Sequence, residues 1–373
     1  MSFAEQIADL SPAELSALIE RSTPDDVRRA LASERISADG LLALLSPVAE
    51  TMLEQIAQRA HEVTRQYFGG TVLLYAPLYL SNECDNGCVY CGFSARNDIE
   101  RRTLTVDEAV REGESLRARG FRHVLLLTGE APRAIDAEKL AAIVRRVGPL
   151  FDSVSLEVFP MEEAGYETAV AAGVDGLTVY QETYDRDVYA AMHPTGRKRD
   201  YDFRLEAPER GAAAGMRRVG VGALLGLADF RADSYLTALH AAYLTRRHWR
   251  AHLTVSFPRL RDAEGGFSAP TPVSDRQLVL ALCATRLFLP HAGLVLSTRE
   301  EASLRDRLLP FGITQMSAGS RTQPGGYEEP EAAGRQFAIS DDRTPEEVCA
   351  AIRRAGYDPV WKDWDPAFTG AAI

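Results

Sequence analysis

The sequence predicts an α/β protein built on a (β/α)8 TIM-like barrel, with a helical extension before it and a helical, aromatic tail after it. Two observations predict this. From Thr71 onward, apolar and β-branched runs alternate with helical stretches, and that alternation builds parallel βαβ units. Eight runs qualify as strands, at 72–79, 123–128, 153–159, 176–181, 218–224, 252–257, 293–298 and 313–317. The chain has 373 residues, more than the ~250 such a barrel typically needs.

The elements follow in order. Residues 1–70 read as helices. Ser11-Pro12-Ala13-Glu14 is a capping box with proline at the first helical position, and Thr23-Pro24-Asp25-Asp26 starts a helix the same way. Leu42, Leu45, Val48, Met52 and Ile56 then recur at helical spacing. Residues 71–320 form the barrel, with helix starts between strands at Thr105-Val106-Asp107-Glu108 and Ser274-Asp275-Arg276-Gln277. Residues 321–373 form a tail that packs on the barrel. It holds the capping box Thr344-Pro345-Glu346-Glu347 and the aromatics Tyr357, Trp361, Trp364 and Phe368.

Composition excludes some roles. Hydrophobic residues are 46% and charged residues 25%, ordinary for a large globular core. The net charge of −11 does not suit phosphate binding, so nucleic acid is not an expected partner. No stretch reaches the ~20 apolar residues of a membrane span. The start Met-Ser-Phe-Ala-Glu-Gln lacks the basic and apolar parts of a signal peptide, so a cytoplasmic protein is expected.

Three of the five cysteines stand together, as Cys84-x3-Cys88-x2-Cys91. Four thiolates normally fill a 4Fe–4S cluster, so three leave one iron open. An open metal position is where a ligand binds, as in catalytic zinc sites. Here it suits the amino and carboxylate groups of S-adenosylmethionine. Zinc would need a fourth ligand, and no His or further Cys lies within roughly twenty residues. A disulfide does not fit a reduced compartment.

In a barrel, chemistry gathers at the C-terminal strand ends. The first strand end carries Tyr79, Ser81, Asn82 and the cysteines, with Tyr90 just before the third. The second carries Thr128-Gly129-Glu130. The third carries Glu157, a carboxylate in an apolar strand that needs either an ion-pair partner or a ligand. The fourth carries Gln181 and Glu182, placed for ribose hydroxyls. The cationic stretch 192–204 ends at Arg204, suited to a bidentate pair with a carboxylate. In the fifth, Gly222 lets a flat ring approach the backbone. The sixth has Arg259, the seventh Ser297-Thr298-Arg299-Glu300 and the eighth Ser317, a set suited to an amino acid's polar end.

These residues together resemble one family. Leu78-Tyr79-Leu80-Ser81-Asn82-x-Cys84-x3-Cys88-x-Tyr90-Cys91, Val179 to Tyr184, His193-Pro194 to Ala207, Ser297 to Glu300 and Gly356 to Trp364 are similar to the radical S-adenosylmethionine aromatic amino-acid lyases. The resemblance implies a 4Fe–4S cluster on Cys84, Cys88 and Cys91. It implies S-adenosylmethionine held by Tyr90, Thr128, Gly129, Glu130, Glu157, Gln181, Glu182, Arg204 and Gly222. Thr128-Gly129-Glu130 resembles the family's Gly-Gly-Glu motif, with threonine for the first glycine. Tyr79, Arg299 and Ser317 would hold the substrate. The implied reaction is radical cleavage of the Cα–Cβ bond of L-tyrosine to 2-iminoacetate (dehydroglycine) and p-cresol, with 5′-deoxyadenosine and methionine, for thiazole formation in thiamine biosynthesis. The implied partners are a thiazole synthase and a reductase or flavodoxin-type electron donor. The related lyase of hydrogenase maturation carries a second cluster on a C-terminal extension, and the lone Cys349 disfavours it here. A tryptophan lyase is the alternative enzyme. An iron–sulfur carrier would need the cysteines but not Glu130, Arg204 or Arg299.

Overall fold

The structure is a computed structural model that describes residues 1–8, 10–330 and 333–362. Eight parallel strands close a barrel. They are β1 (Thr71–Ser81), β2 (His123–Thr128), β3 (Ser153–Glu157), β4 (Gly176–Thr178), β5 (Arg218–Gly222), β6 (His252–Ser256), β7 (Gly293–Leu296) and β8 (Gln315–Ser317). Each pairs with the next, and β1 closes the ring by pairing with both β2 and β8. Helices cover the outside, so both strand faces are buried, and this is why the strands read as apolar runs.

Before the barrel, the described residues form five short helices between Phe3 and Thr51 and a longer one, Leu53–Phe68. The apolar recurrence from Leu42 to Ile56 is not one helix. Ser46 caps a new one at Pro47, whose ring cannot continue the helix before it. The boxes at Thr23, Thr105, Ser274 and Thr344 form in both directions, whereas Ser11 makes only the half in which its hydroxyl accepts from Glu14 N. The last helix of the extension, Leu53–Phe68, packs along Asp275–Phe288.

Two departures from the sequence reading matter for the site. β4 ends at Thr178, short of the expected 181, and the chain reaches Glu182 with φ +73°. Few non-glycine residues adopt that conformation, and it costs of order 1–3 kcal/mol unless the surroundings hold it. The β1–β2 register also slips between Tyr79 and Ser81, turning the chain off the barrel mouth into the cysteine loop.

After β8 the chain crosses the mouth. Gly334 O accepts from Asn82 Nδ2 at 3.2 Å, and Ser340 N donates to Thr298 O at 2.9 Å. Helix Pro345–Arg354 follows, and then a ninth strand, β9 (Asp358–Val360), pairs with the first residues of β1. This strand was not expected; it is short and carries Pro359, which only an edge position tolerates. Trp361 packs edge-on against Phe121 at 5.2 Å. Trp364 and Phe368 lie outside the described residues. Among the described residues, no helix is long and apolar enough to cross a membrane.

Candidate active site

The cysteine loop is held by side chains rather than by regular structure. Arg101 donates to the carbonyls of Asn82, Phe93, Ser94 and Asn97 at 2.7–3.1 Å. Asn97 Nδ2 donates to Cys91 O and Gly92 O, both at 3.1 Å. From across the mouth, Thr195 O and Met192 O accept from Gly87 N and Val89 N, each at 3.1 Å. Sequence reasoning missed Arg101 and Asn97. They belong to no spacing motif, and their use appears only when the loop's carbonyls are followed to their donors. Burial pushes the Cys88 thiol up to about 12 and the Cys91 thiol up to about 11, and neighbouring thiols of the trio add to both. The three sulfurs therefore share one apolar locality, packed by Tyr79, Phe93 and Leu127 on one side and by Leu224 and Leu227 on another.

The turn after β2 is stitched to this loop. Gly129 N donates to Ser81 O at 2.9 Å, and Glu130 O accepts from Asp85 N at 2.8 Å. Asn86 Nδ2 donates to the Glu130 carboxylate at 2.7 Å. A Cβ on Gly129 would stand 2.2 Å from Glu83 O and 3.0 Å from Cys84 Cβ. Only glycine lets the two loops come this close. The buried hydroxyl of Thr128 has no hydrogen-bond partner among the described residues.

Beyond β4, Glu182 sits between two cations. Lys198 Nζ is 2.6 Å from it and the Arg204 guanidinium 3.3 Å. Burial opposes its charge, but the two cations prevail and hold the carboxyl down at about 2. They also account for the unusual φ, since the side chain is pinned from both sides. Arg204 Nε donates to Tyr180 O at 2.7 Å, so Arg204 is tied down but keeps guanidinium donors to spare. The sequence places Lys198 only within a basic stretch. Gln181 is buried with its Oε1 unpartnered among the described residues. The Tyr90 hydroxyl meets His193 Nε2 at 2.8 Å, while His193 Nδ1 faces Tyr189 O at 2.7 Å. A carbonyl only accepts, so Nδ1 carries the proton and Nε2 accepts from Tyr90. Burial keeps this histidine neutral, with its pKa lowered to about 3.

A narrow cavity opens beside these groups at the barrel mouth. Tyr79, Glu157, Tyr180, Arg299 and Ser317 all line it, together with Gln336 and Phe337 from the crossing segment. Tyr79 donates to Gln336 Oε1 at 2.6 Å, and Ser317 Oγ accepts from Thr298 N at 3.1 Å. The Arg299 guanidinium lies 3.5 Å from the Phe337 ring centre, and no carboxylate pairs with it among the described residues. Arg259, by contrast, is committed to Glu300 and Asp275. Gly222 does admit a flat ring, but here it is that of Tyr180, which a Cβ would meet at 2.7 Å.

Glu157 forms no ion pair among the described residues, so the ion-pair alternative fails. Burial first, and then the charge of Glu182, raise its carboxyl from the usual 4.5 to about 7, against the pull of Arg299, Arg204 and Lys198. The folded value exceeds the unfolded one. Its contribution to stability is therefore present below pH 4.5 and lost as pH rises to about 7. In the ligand-free protein, Glu157→Gln should raise the melting temperature by about 2 °C or more at pH 8 and should change it little at pH 4. Melting curves of the two proteins at both pH values check this. An equal gap at both removes the assignment.

Comparison with known proteins decides the family. Residues 78–233 match the Radical SAM superfamily, and residues 256–358 match the Biotin and Thiamin Synthesis associated domain. The chain is 44% identical over 365 residues to the 2-iminoacetate synthase of Escherichia coli (strain K12), covering 98% of this chain and 97% of that one. It is 43% identical over the same length to the enzyme of Salmonella typhimurium. The chain belongs to the 2-iminoacetate synthase family. Among solved structures, HydG, a maturase of the [FeFe]-hydrogenase, superposes with a TM-score of 0.90 at 30% identity, over 96% of this chain and 81% of that one. Methylornithine synthase (PylB), at 22% identity and a TM-score of 0.72, shares the fold.

The 2-iminoacetate synthase family uses a 4Fe–4S cluster and S-adenosylmethionine, and the residues present fit both. The three thiols are grouped under an apolar cover. Among the described residues, no three His, Cys, Asp or Glu side chains gather around a single metal position. Three thiolates on separate irons of a cube require no such point. Free thiols at these raised values must release protons when the cluster assembles. For S-adenosylmethionine, the Thr128 hydroxyl at the end of β2 and the Gln181 carbonyl just past β4 are buried and unpartnered among the described residues. Burying such groups without partners costs roughly 1–3 kcal/mol each, and a polar cofactor relieves that cost.

Proposed function

We infer that this protein is a radical S-adenosylmethionine carbon–carbon lyase. It cleaves the Cα–Cβ bond of L-tyrosine to 2-iminoacetate and p-cresol, for thiazole formation in thiamine biosynthesis. The observation that carries the reading is the 44% identity to 2-iminoacetate synthase over 98% of this chain. Bound at the cysteines, the cluster and S-adenosylmethionine supply the radical that takes a hydrogen atom from the substrate. The chain supplies position and dryness. Thr128, the Gly129 backbone and Glu130 receive the cofactor's methionyl amino group. Arg204 takes its carboxylate, and Glu157, Gln181 and Glu182 take its ribose, beside Tyr90 and Gly222. Arg299, Tyr79 and Ser317 hold the amino acid's polar end in the cavity.

Dehydroglycine hydrolyses in water. Direct transfer to a thiazole synthase is therefore part of the proposal, as are a flavodoxin-type electron donor and a cytoplasmic site of action. Anaerobic turnover of tyrosine and, separately, tryptophan tests the reading. p-Cresol from tyrosine supports it, the corresponding indole product from tryptophan alone points to the tryptophan lyases, and no turnover of either points to a carrier.

Arg204→Ala tests the cofactor site. S-Adenosylmethionine affinity should fall about ten- to hundredfold, whether or not tyrosine is present, since a charge-assisted pair is worth about 1.5–3 kcal/mol. Equilibrium dialysis measures it. Glu182 keeps Lys198 as its partner in this variant, which limits the structural damage. Unchanged affinity makes Arg204 a support for Glu182 and nothing more.

A further inference from the structure

Two consecutive residues of the crossing segment touch two of the three members of the substrate clamp, Tyr79 and Arg299. Gln336 Oε1 accepts from the Tyr79 hydroxyl at 2.6 Å, and the Phe337 ring lies under the Arg299 guanidinium at 3.5 Å. The segment is itself tied to the cluster loop. Gly92, next to Cys91, donates to Gln336 O at 3.0 Å, and a Cβ on Gly92 would stand 2.3 Å from Arg335 O. Thr322 brackets the same pair, accepting from Gln336 N at 2.9 Å and donating to Phe337 O at 2.9 Å. A further bond runs from Ala338 N to Asp262 O at 2.9 Å. None of these residues stood out in the sequence.

We propose that Phe337 is the positioning residue of the substrate site: its ring face orients the Arg299 guanidinium toward the amino acid's carboxylate, and the 335–338 strap keeps that clamp in register with the cluster loop. The physical case starts from the cation. Arg299 is half-buried and has no carboxylate partner among the described residues. An arginine left free would swing through many rotamers and lose that freedom on binding. A ring face attracts the cation electrostatically and fixes its plane without consuming a guanidinium N–H. All the donors therefore stay available for a bidentate carboxylate. A glutamate in this place would neutralise Arg299 and compete with the substrate. Gln336 completes the device. By accepting from Tyr79 it fixes the direction of that hydroxyl and leaves the oxygen's lone pairs toward the cavity.

The inference rests on the tyrosine-lyase reading, and the experiment separates the two. Reconstituted full-length protein with S-adenosylmethionine is dialysed against tyrosine. Phe337→Leu should weaken tyrosine binding about five- to thirtyfold, the range for a cation–π contact between exposed and desolvated limits. Phe337→Tyr should restore it, and S-adenosylmethionine affinity should not change. A trifluorinated phenylalanine at 337 keeps the shape but drains the ring face, so it guards against a folding artefact. It too should weaken tyrosine binding and raise the KM for tyrosine more than it lowers kcat. Wild-type tyrosine affinity in the fluorinated protein overturns the positioning role alone. Absence of tyrosine binding in the wild-type protein overturns the tyrosine-lyase reading itself.

Discussion

Serine in place of any one of Cys84, Cys88 or Cys91 should abolish reductive cleavage of S-adenosylmethionine completely. A thiolate-to-hydroxyl change removes one of three iron ligands, and the loop holds no fourth thiol to replace it. Its backbone is committed to Arg101, Asn97 and the 192–195 strap, so it cannot bring another donor in. Anaerobically reconstituted wild-type protein should bind about four irons and four sulfides, and each serine variant should lose most of both. The two other cysteines are the internal control. Cys283 is buried within helix Asp275–Phe288, and Cys349 within Pro345–Arg354. Cys283→Ala and Cys349→Ala should retain iron, sulfide and 5′-deoxyadenosine formation. Loss of the cluster in Cys349→Ala would mean that three cysteines do not suffice.

The barrel was legible because its signal is local. Strand periodicity, capping boxes and strand-end chemistry can each be read from neighbouring residues, and all eight strands fall where the runs place them, β1 longer than its run, β2 matching it and the other six shorter. The cluster ligands were legible for the same reason. What the sequence hid is contact between distant segments. Gln336 meets Tyr79 across 257 positions, and Arg259 turns out to serve Glu300 across 41. Nothing in either local pattern announces those pairings. Arg259 and Arg299 looked equivalent at adjacent strand ends, each beside hydroxyls or carboxylates. Only burial and partner geometry separate them. Arg259 meets two acids, whereas Arg299 meets an aromatic face and a cavity. Glu182 shows the opposite failure. Its polarity marked it as a ligand, yet the structure also makes it the anchor for Lys198 and Arg204, and its left-handed backbone could not be read from an ordinary Gln-Glu-Thr stretch.

That difference between the two arginines yields the second large effect. Arg299→Ala should stop formation of p-cresol and 2-iminoacetate while slow, uncoupled release of 5′-deoxyadenosine continues. Arg299 follows β7, whereas the cysteine loop with Tyr90 follows β1 and the other proposed cofactor residues lie on β2 to β5 and their loops. Cofactor cleavage is therefore spared. Removing one partner of a desolvated charge pair costs about 2–5 kcal/mol, and here the charge left without a partner is the substrate's own carboxylate, so tyrosine should not bind productively. Glu157 faces the same cavity, and because Arg299 pulls its raised carboxyl down, losing Arg299 drives it further toward the neutral acid and supplies no replacement cation. Arg299→Lys should recover little, because an ammonium supplies a point charge and cannot reproduce the planar fork that rests on Phe337. The deciding measurement is the ratio of p-cresol to 5′-deoxyadenosine in each variant. A wild-type ratio in Arg299→Ala would place the carboxylate elsewhere in the cavity. Arg259 could not then take over without releasing Glu300, a buried carboxylate left with Arg261 alone among the described residues. The search would pass to the hydroxyls of Tyr79, Ser297 and Ser317, which line the same space and are neutral.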